Sequence, residues 1–332
     1  MSSARRVARL WACVVLLLVA CVLSLALGTR TIGPGVVWDA LFHFADTDEQ
    51  AIVRNLRVPR TVLGLLVGVA LAVCGALIQA VTRNPLADTQ ILGANAGAAL
   101  FVVVAIGFLG LTDIWAYVWF AFAGVAVALV AVYALGSMGR GGATPLRLTL
   151  AGVALGAVLE GLSGGIRLVR PRAFDSLRFW DVGTLGGRDL DVAWAVTPFV
   201  GAGLLLALVV ARSLNAVAMG DDLARALGAR IVITRTLAMV AVMLLAGAST
   251  AAVGPIGFVG LMVPHAARRL VGTDQRWILA LSLVCGPALL LVADVVGRLV
   301  IRPAELQAGI VTAFVGAPVL IWMARRTGSG AL

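Results

Sequence analysis

The sequence predicts an all-α, polytopic membrane protein of about ten spanning helices, and three observations carry that prediction. Only 13% of the residues are charged while 61% are hydrophobic, too little polar surface for a water-soluble chain of this length. The apolar residues gather into runs of about twenty, the length a helix needs to cross roughly 30 Å of hydrocarbon. The arginines concentrate in alternate links between those runs, as the positive-inside tendency requires of a multi-pass chain.

In chain order the predicted spans are 11–28, 61–81, 91–110, 114–136, 147–167, 192–212, 231–250, 256–271, 277–297 and 306–324. The first follows Arg5, Arg6 and Arg9. Its Leu18-Val19-Ala20-Cys21 imitates a lipoprotein cleavage site, but apolar residues continue from Val22 to Leu27, so it reads as an uncleaved span. A long outer loop, about 29–60, carries Asp46, Asp48 and Glu49 and ends on Arg57-Val58-Pro59-Arg60. The second and third spans meet at a polar inner corner, Arg83-Asn84-Pro85-Leu86-Ala87-Asp88. A second outer loop, about 168–191, is too rich in arginine and aspartate to span. The eighth span is the weakest: Pro255 and Pro264 bracket it, and His265 to Arg269 are polar. Ten spans use up the chain, so 1–332 reads as a single transmembrane domain.

Orientation comes from arginine alone, because the chain contains no lysine. With a cytoplasmic N-terminus, 15 of the 26 arginines lie inside against four acids, Asp88, Asp221, Asp222 and Asp274. The opposite orientation reverses the bias. Both termini are therefore expected in the cytoplasm, and the protein in the cell membrane. The net charge of +10 sits in short inner links, where it sets topology and meets anionic membrane lipid rather than nucleic acid.

Several chemistries lack their residues. Without lysine there is no phosphate-binding Gly-Lys-Ser/Thr loop, so an ATP-driven process would need its nucleotide site on another chain. His43 and His265 are far apart, and Cys13, Cys21, Cys74 and Cys285 lie in apolar runs, so no metal site is expected. Glu160, Asp294, Arg167 and Arg298 are the candidate functional groups among the intramembrane ionisable residues, most of them toward the outer ends of their spans. Only Glu160 approaches mid-membrane, which argues against a proton- or sodium-coupled secondary carrier. Asp221-Asp222 has no second acidic motif, which argues against a Mg-dependent membrane prenyl-transferase.

The inner loop 213–230 predicts a short helix, about 219–229, lying beneath the membrane. Asp221 and Asp222 suit its N-terminus, Gly220 precedes them, Gly228 suits its end, and Leu223, Ala226 and Leu227 are arranged for one apolar face. Such a helix contacts protein; a solvated linker is the alternative. Glycines four apart, at 64/68, 93/97, 152/156 and 161/165, permit close helix approach.

At this point the chain resembles the permease subunits of bacterial ABC importers for iron–siderophore complexes and cobalamin. The resemblance rests on Arg57-Val58-Pro59-Arg60; Gly75, Gln79 and Asn84-Pro85-Leu86-Ala87; Leu92-Gly93 and Gly97-Ala98; Gly220-Asp221, Ala224 and Leu227-Gly228; Gly254 to Leu261 with Pro264-His265; and Ala293-Asp294, Arg298, Glu305-Leu306, Gly309 and Gly316-Ala317-Pro318. These blocks occur in the family's order. Thr89 and Gln307 stand where the family usually has proline.

The resemblance implies an importer of iron(III)–siderophore, with cobalamin or haem as alternative cargo. It implies a second permease subunit, the same chain or a paralogue, two ATPase subunits carrying ATP-Mg, and an extracytoplasmic substrate-binding protein. No cofactor is expected on this chain, which is not itself an enzyme. By the same resemblance, Arg57, Arg60 and Arg298 dock the binding protein, unless they merely anchor span ends. Gly220, Asp221, Asp222, Leu223, Ala224, Leu227 and Gly228 couple to the ATPase. Asn84 and Leu86 narrow the cytoplasmic exit or simply build a turn, and Ala151, Gly152 and Gly156 line the translocation path.

Overall fold

The computed structural model describes residues 3–138, 145–170, 180–226, 228 and 230–327. Leu227 and the 171–179 portion of the second outer loop lie outside the described residues. The chain runs through α1 (Ser3–Ala26), α2 (Pro34–Phe42) and α3 (Asp48–Ile52), which continues by a π turn, Val53–Arg57, into α4 (Val58–Thr82). Then follow α5 (Ala94–Leu109), α6 (Ile114–Ser137), α7 (Pro145–Val169), a 3₁₀ turn (Trp180–Val182), α8 (Leu190–Ala218) and α9 (Asp221–Ala226). The last four are α10 (Ile231–Val253), α11 (Val259–Val271), α12 (Gln275–Val300) and α13 (Ala308–Thr327).

Seven of these helices are long and apolar enough to cross a bilayer: α1, the continuous Asp48–Thr82 segment, α6, α7, α8, α10 and α12. Two more predicted spans appear as shorter apolar helices, Ala94–Leu109 and Ala308–Met323. The eighth predicted span is corrected. Its helix, α11, has 13 residues, about 20 Å at 1.5 Å per residue, and begins only at Val259. Residues 254–257 before it are not helical, and Phe258 sits at φ +69°, a left-handed conformation that a bulky residue rarely holds.

The centre of the bundle is α4, which packs against α8, α10, α11 and α12. Lipid is as apolar as leucine, so hydrophobicity alone cannot draw helices together in a bilayer; close backbone approach does. A Cβ on Gly68 would lie 2.4 Å from Pro287 Cα, and one on Gly75 would lie 2.0 Å from the Gly260 carbonyl oxygen. Neither neighbour is a side chain that could yield. Gly97 meets Gly124 in the same way, joining α5 to α6.

Two ends of the bundle separate cleanly. The C-terminus of α1, the N-terminus of α4 and the C-terminal part of α12 converge at the end that arginine counting places outside. At the other end, Asp274 caps α12 through the Arg276 N–H at 3.0 Å, and Asn215 on α8 bonds both Asp274 (3.0 Å) and the Gln275 N–H (2.8 Å). Numerous leucines, valines and tryptophans of α1, α6, α7 and α8 face outward, as lipid-facing positions do.

Candidate functional site at the two ends of the bundle

At the outer end, one carboxylate organises three helices. Asp294 on α12 is 0% exposed, and an isolated buried charge would be costly. Arg60 meets it with Nε at 3.0 Å from both oxygens and an Nη at 2.8 Å. Arg298, one turn further along α12, adds an Nη at 3.0 Å. Arg60 also reaches Glu305 at 2.7 Å, on the link before α13. Arginine suits this place because its planar fork serves two acceptors at once and stays ionised.

The same arginines close the end of α1. Arg298 donates to the carbonyls of Ser24 (3.0 Å) and Leu27 (2.8 Å) and to the Ser24 hydroxyl (3.2 Å). Arg57 donates to the carbonyls of Leu25 at 2.7 Å and of Arg30. Those carbonyls belong to the last turn of α1 and the chain just beyond, where a helix leaves its acceptors unpaired. Ser24 and Thr61 complete the contact at 2.8 Å. Gly28 leaves room for Arg57, and Gly186 for Arg60.

The structure thus brings Arg57, Arg60 and Arg298 together, but not as three free surface cations. Arg57 is 5% and Arg298 2% exposed, and the Arg60 side chain 12%. Asp294 and Glu305, which the sequence offered only as one intramembrane acid and one family position, are the partners that make the cluster. Arg167, the other arginine at a span end, pairs with Asp181 at 2.7 Å and fixes the end of α7 to the 3₁₀ turn.

At the inner end the corner after α4 is built from backbone contacts. Asn84 Oδ1 accepts the Leu86 N–H at 3.0 Å, a local turn that mimics a backbone one. Asp88 is buried and accepts the N–H of Thr89 at 2.8 Å and that of Phe258 at 3.2 Å. The second bond ties the corner to the start of α11. Burial raises the Asp88 carboxyl above its ordinary range, opposed by the bonds from Thr89 and Phe258. Thr89 therefore supplies a donor that proline could not, and its hydroxyl lies 3.4 Å from the same carboxylate.

Gln79 binds the other side of α11's first turn. Its Nε2 donates to the carbonyls of Gly260 (3.3 Å) and Leu261 (3.4 Å), while its Oε1 accepts from Arg268. The Phe258 ring fills the place where a side chain at Gly316 would stand, linking α13 to the same knot. Sequence reasoning named Gln79 and Gly260 only as members of a pattern and counted Asp88 only as an inner charge. The available signal was polarity: a glutamine inside an apolar run and an acid among inner arginines need partners.

Helix α9, described over Asp221–Ala226, lies inside the predicted 219–229 stretch. Gly220 and Gly228 flank it with positive φ, +122° and +75°, and the Ala224 N–H closes onto the Gly220 carbonyl at 2.9 Å. Ala224 is buried against Val217 and Ile231, which seats the helix on the ends of α8 and α10. Leu223 points away and is 48% exposed. Asp221 and Asp222 lie in its first turn.

On α7 the three predicted path residues divide. A Cβ on Gly152 would meet the Ile91 carbonyl at 2.0 Å, and Gly156 faces Gly93, so both glycines serve packing against the start of α5. Ala151 is half-buried beside them. The open face of α7 is carried instead by Val153, Ala154, Ala157, Val158, Glu160 and Gly161. Small residues on that open face, Ala154, Ala157 and Gly161, alternate with the predicted lining positions Ala151, Gly152 and Gly156.

A central helix gripped by its neighbours through backbone contacts, an outer ionic cluster and an inner protruding helix together define a multi-pass permease subunit of the cell membrane. Residues 16–326 match the FecCD transport family, and the chain belongs to that family. It is 46% identical over 316 residues, covering 95% of this chain and 94% of the other, to the ferric enterobactin transport system permease protein FepD of Escherichia coli (strain K12). It is 41% identical to the Fe(3+)-citrate import system permease protein YfmD of Bacillus subtilis (strain 168), over 86% of this chain and 85% of that one. A solved metal-chelate type ABC transporter in an inward-facing conformation superposes with a TM-score of 0.80 at 26% identity, covering 95% of this chain and 98% of the other.

Proposed function

We propose that this permease imports iron(III)–siderophore complexes, working with a second permease subunit, two ATPase subunits that bind ATP-Mg, and an extracytoplasmic binding protein. The observation that carries the reading is the shared cargo of its relatives. One is named for ferric enterobactin and another for ferric citrate, ligands of different shape that have a chelated ferric ion in common. A wide passage with few specific contacts suits such cargo, selectivity then residing in the binding protein.

The outer cluster supports a division of labour in docking. Arg60, held between Asp294 and Glu305 at the surface, offers its fork to a carboxylate of the binding protein that competes with Glu305. Arg298 shares Asp294 with Arg60, and Arg57 ties the adjoining end of α1 to the start of α4; in docking they support Arg60 rather than meet the partner. Inside, Leu223 on α9 enters the ATPase groove, with Gly220, Asp221, Asp222, Ala224, Leu227 and Gly228 shaping and seating the segment. Rocking of α9 moves α8 and α10 and so alters the passage. Asn84 and Leu86 form the corner that narrows the exit, and the open face of α7 lines the path against the second subunit.

Uptake of radiolabelled iron, presented as a panel of ferric siderophores, tests this in a strain lacking the gene and in the same strain with the gene restored. Uptake of at least one ferric siderophore should disappear and return. Unchanged ferric uptake with lost cobalamin or haem uptake overturns the cargo assignment.

A further inference from the structure

We propose that the groove between α6 and α10, in the cytoplasmic half of the bundle, is a binding site for one anionic phospholipid of the inner leaflet. Its volume is about 770 Å³, within the range of roughly 300–1,000 Å³ that holds a compact organic ligand. The floor is apolar, made by Leu92, Leu129, Met239 and Met243. Val130, Tyr133 and Val232 form its rim and are exposed, so the groove opens sideways at membrane depth rather than toward the outer ionic cluster.

Charge sits at one end only. Arg83, at the C-terminus of α4, and Arg235, in the first turns of α10, both line the groove. Both fall on the cytoplasmic side by the arginine count, and Arg83 donates to the carbonyl of Val217 (3.0 Å), just before α9. The described lining contains no acid. An apolar slot with two arginines at its cytoplasmic mouth is complementary to an acyl chain topped by a phosphate. A ferric chelate, bulky and polar, gains nothing from such a floor. An inner-leaflet lipid reaches it by sliding in from the side.

Position gives the occupant a consequence. The groove touches the end of α4, the start of α10 and, through Arg83, the end of α8, the same elements that carry the inner corner and α9. A bound lipid therefore braces the ends of α8 and α10 on which α9 is seated.

Native mass spectrometry of the purified full chain tests the site directly, with phosphatidylglycerol, phosphatidylethanolamine and inorganic phosphate as separate probes. Phosphatidylglycerol should remain bound at concentrations where phosphatidylethanolamine is lost, and inorganic phosphate should not displace it. The double variant Arg83→Gln/Arg235→Gln should weaken phosphatidylglycerol about thirtyfold, the sum of two arginine–headgroup attractions. Met239→Trp, which fills the floor, should reduce both lipids. Arg276→Gln, an exposed inner arginine away from the groove, should change neither. Equal retention of the two lipids, displacement by phosphate alone, or unaltered binding in the double variant overturns the proposal. A partner helix seated in the groove would show as lipid binding insensitive to Met239→Trp, and also overturns it.

Discussion

The two ends of α4 are held by opposite means. Its outer end is fixed by charge: Arg60 and Arg298 converge on Asp294, and Arg57 and Arg298 cap the open carbonyls of α1. Its inner end is fixed by shape: Gly75 lies against Gly260, and a single buried carboxylate joins the corner to the Phe258 amide. Ionic contacts can be exchanged for another carboxylate without moving a helix. Backbone contacts cannot, so movement at the inner end must pass through the helix that follows. The outer end is thus held by charge and the inner end by close backbone contact.

The largest expected effect comes from breaking the shape-based end. Gly75→Val places a side chain inside the Gly260 backbone and should abolish recovery of folded, monodisperse protein in size-exclusion chromatography. Overpacking of a yielding core costs only about 1–3 kcal/mol, so a normal yield would show that α11 can shift away from α4. Next is the ionic end. Asp294→Ala strands two buried arginines, a loss of about 3–5 kcal/mol, visible as a marked fall in melting temperature in detergent. If Asp294→Ala melts like the parent, the cluster is not what joins α1, α4 and α12.

A smaller change should follow Asp88→Ala, which leaves the Phe258 and Thr89 amides unpaired at about 1–3 kcal/mol. It should also raise the labelling rate of a cysteine introduced at Gln90, on the same corner. Unchanged labelling would mean that the glycine contacts alone hold the corner. The smallest is Gly161→Ala. Among the described residues nothing lies within 4 Å of a Cβ there, so the isolated subunit should be stabilised by helix propensity, up to about 1 kcal/mol.

These contrasts also mark what the sequence reveals. Arginine placement alone put Arg57 and Arg60 at one end and Arg83 at the other, and the structure groups them accordingly. Hydropathy located nine of the apolar runs but gave no sense of which was central: α4 and α7 both read as spans, yet 78% of one window is buried and 17% of the other. Glycine spacing helped only when a partner existed. Gly68 and Gly152 meet backbone, whereas a Cβ on Gly161 or Gly165 would meet nothing within 4 Å among the described residues.

The arginines show why the site was only partly legible. Whether Arg60 faces outward depends on Asp294, 234 positions away, and no local pattern carries that distance. The eighth span failed for a similar reason. Its late start goes with the left-handed Phe258, whose N–H donates to Asp88, and with residues 254–256, which lie against the 3₁₀ turn at Trp180–Val182 and Gly183 instead of entering a helix. Thr89 stands where the family usually has proline; in the fold its N–H and hydroxyl both face Asp88.

On the proposed function the outer end receives the binding protein while the inner end engages the ATPase. Measuring both affinities on one assembled complex tests it most directly. Arg60→Gln keeps Arg298 on Asp294 and avoids setting a second acid beside it, as Arg60→Glu would do. It should weaken the loaded binding protein about tenfold or more, the scale of one charge-assisted contact, with the ATPase still co-purifying. Leu223→Asp should release the ATPase and leave binding-protein affinity near normal. If both substitutions weaken the same partner, or Arg60→Gln leaves the binding protein's affinity unchanged, the division between the two ends is wrong.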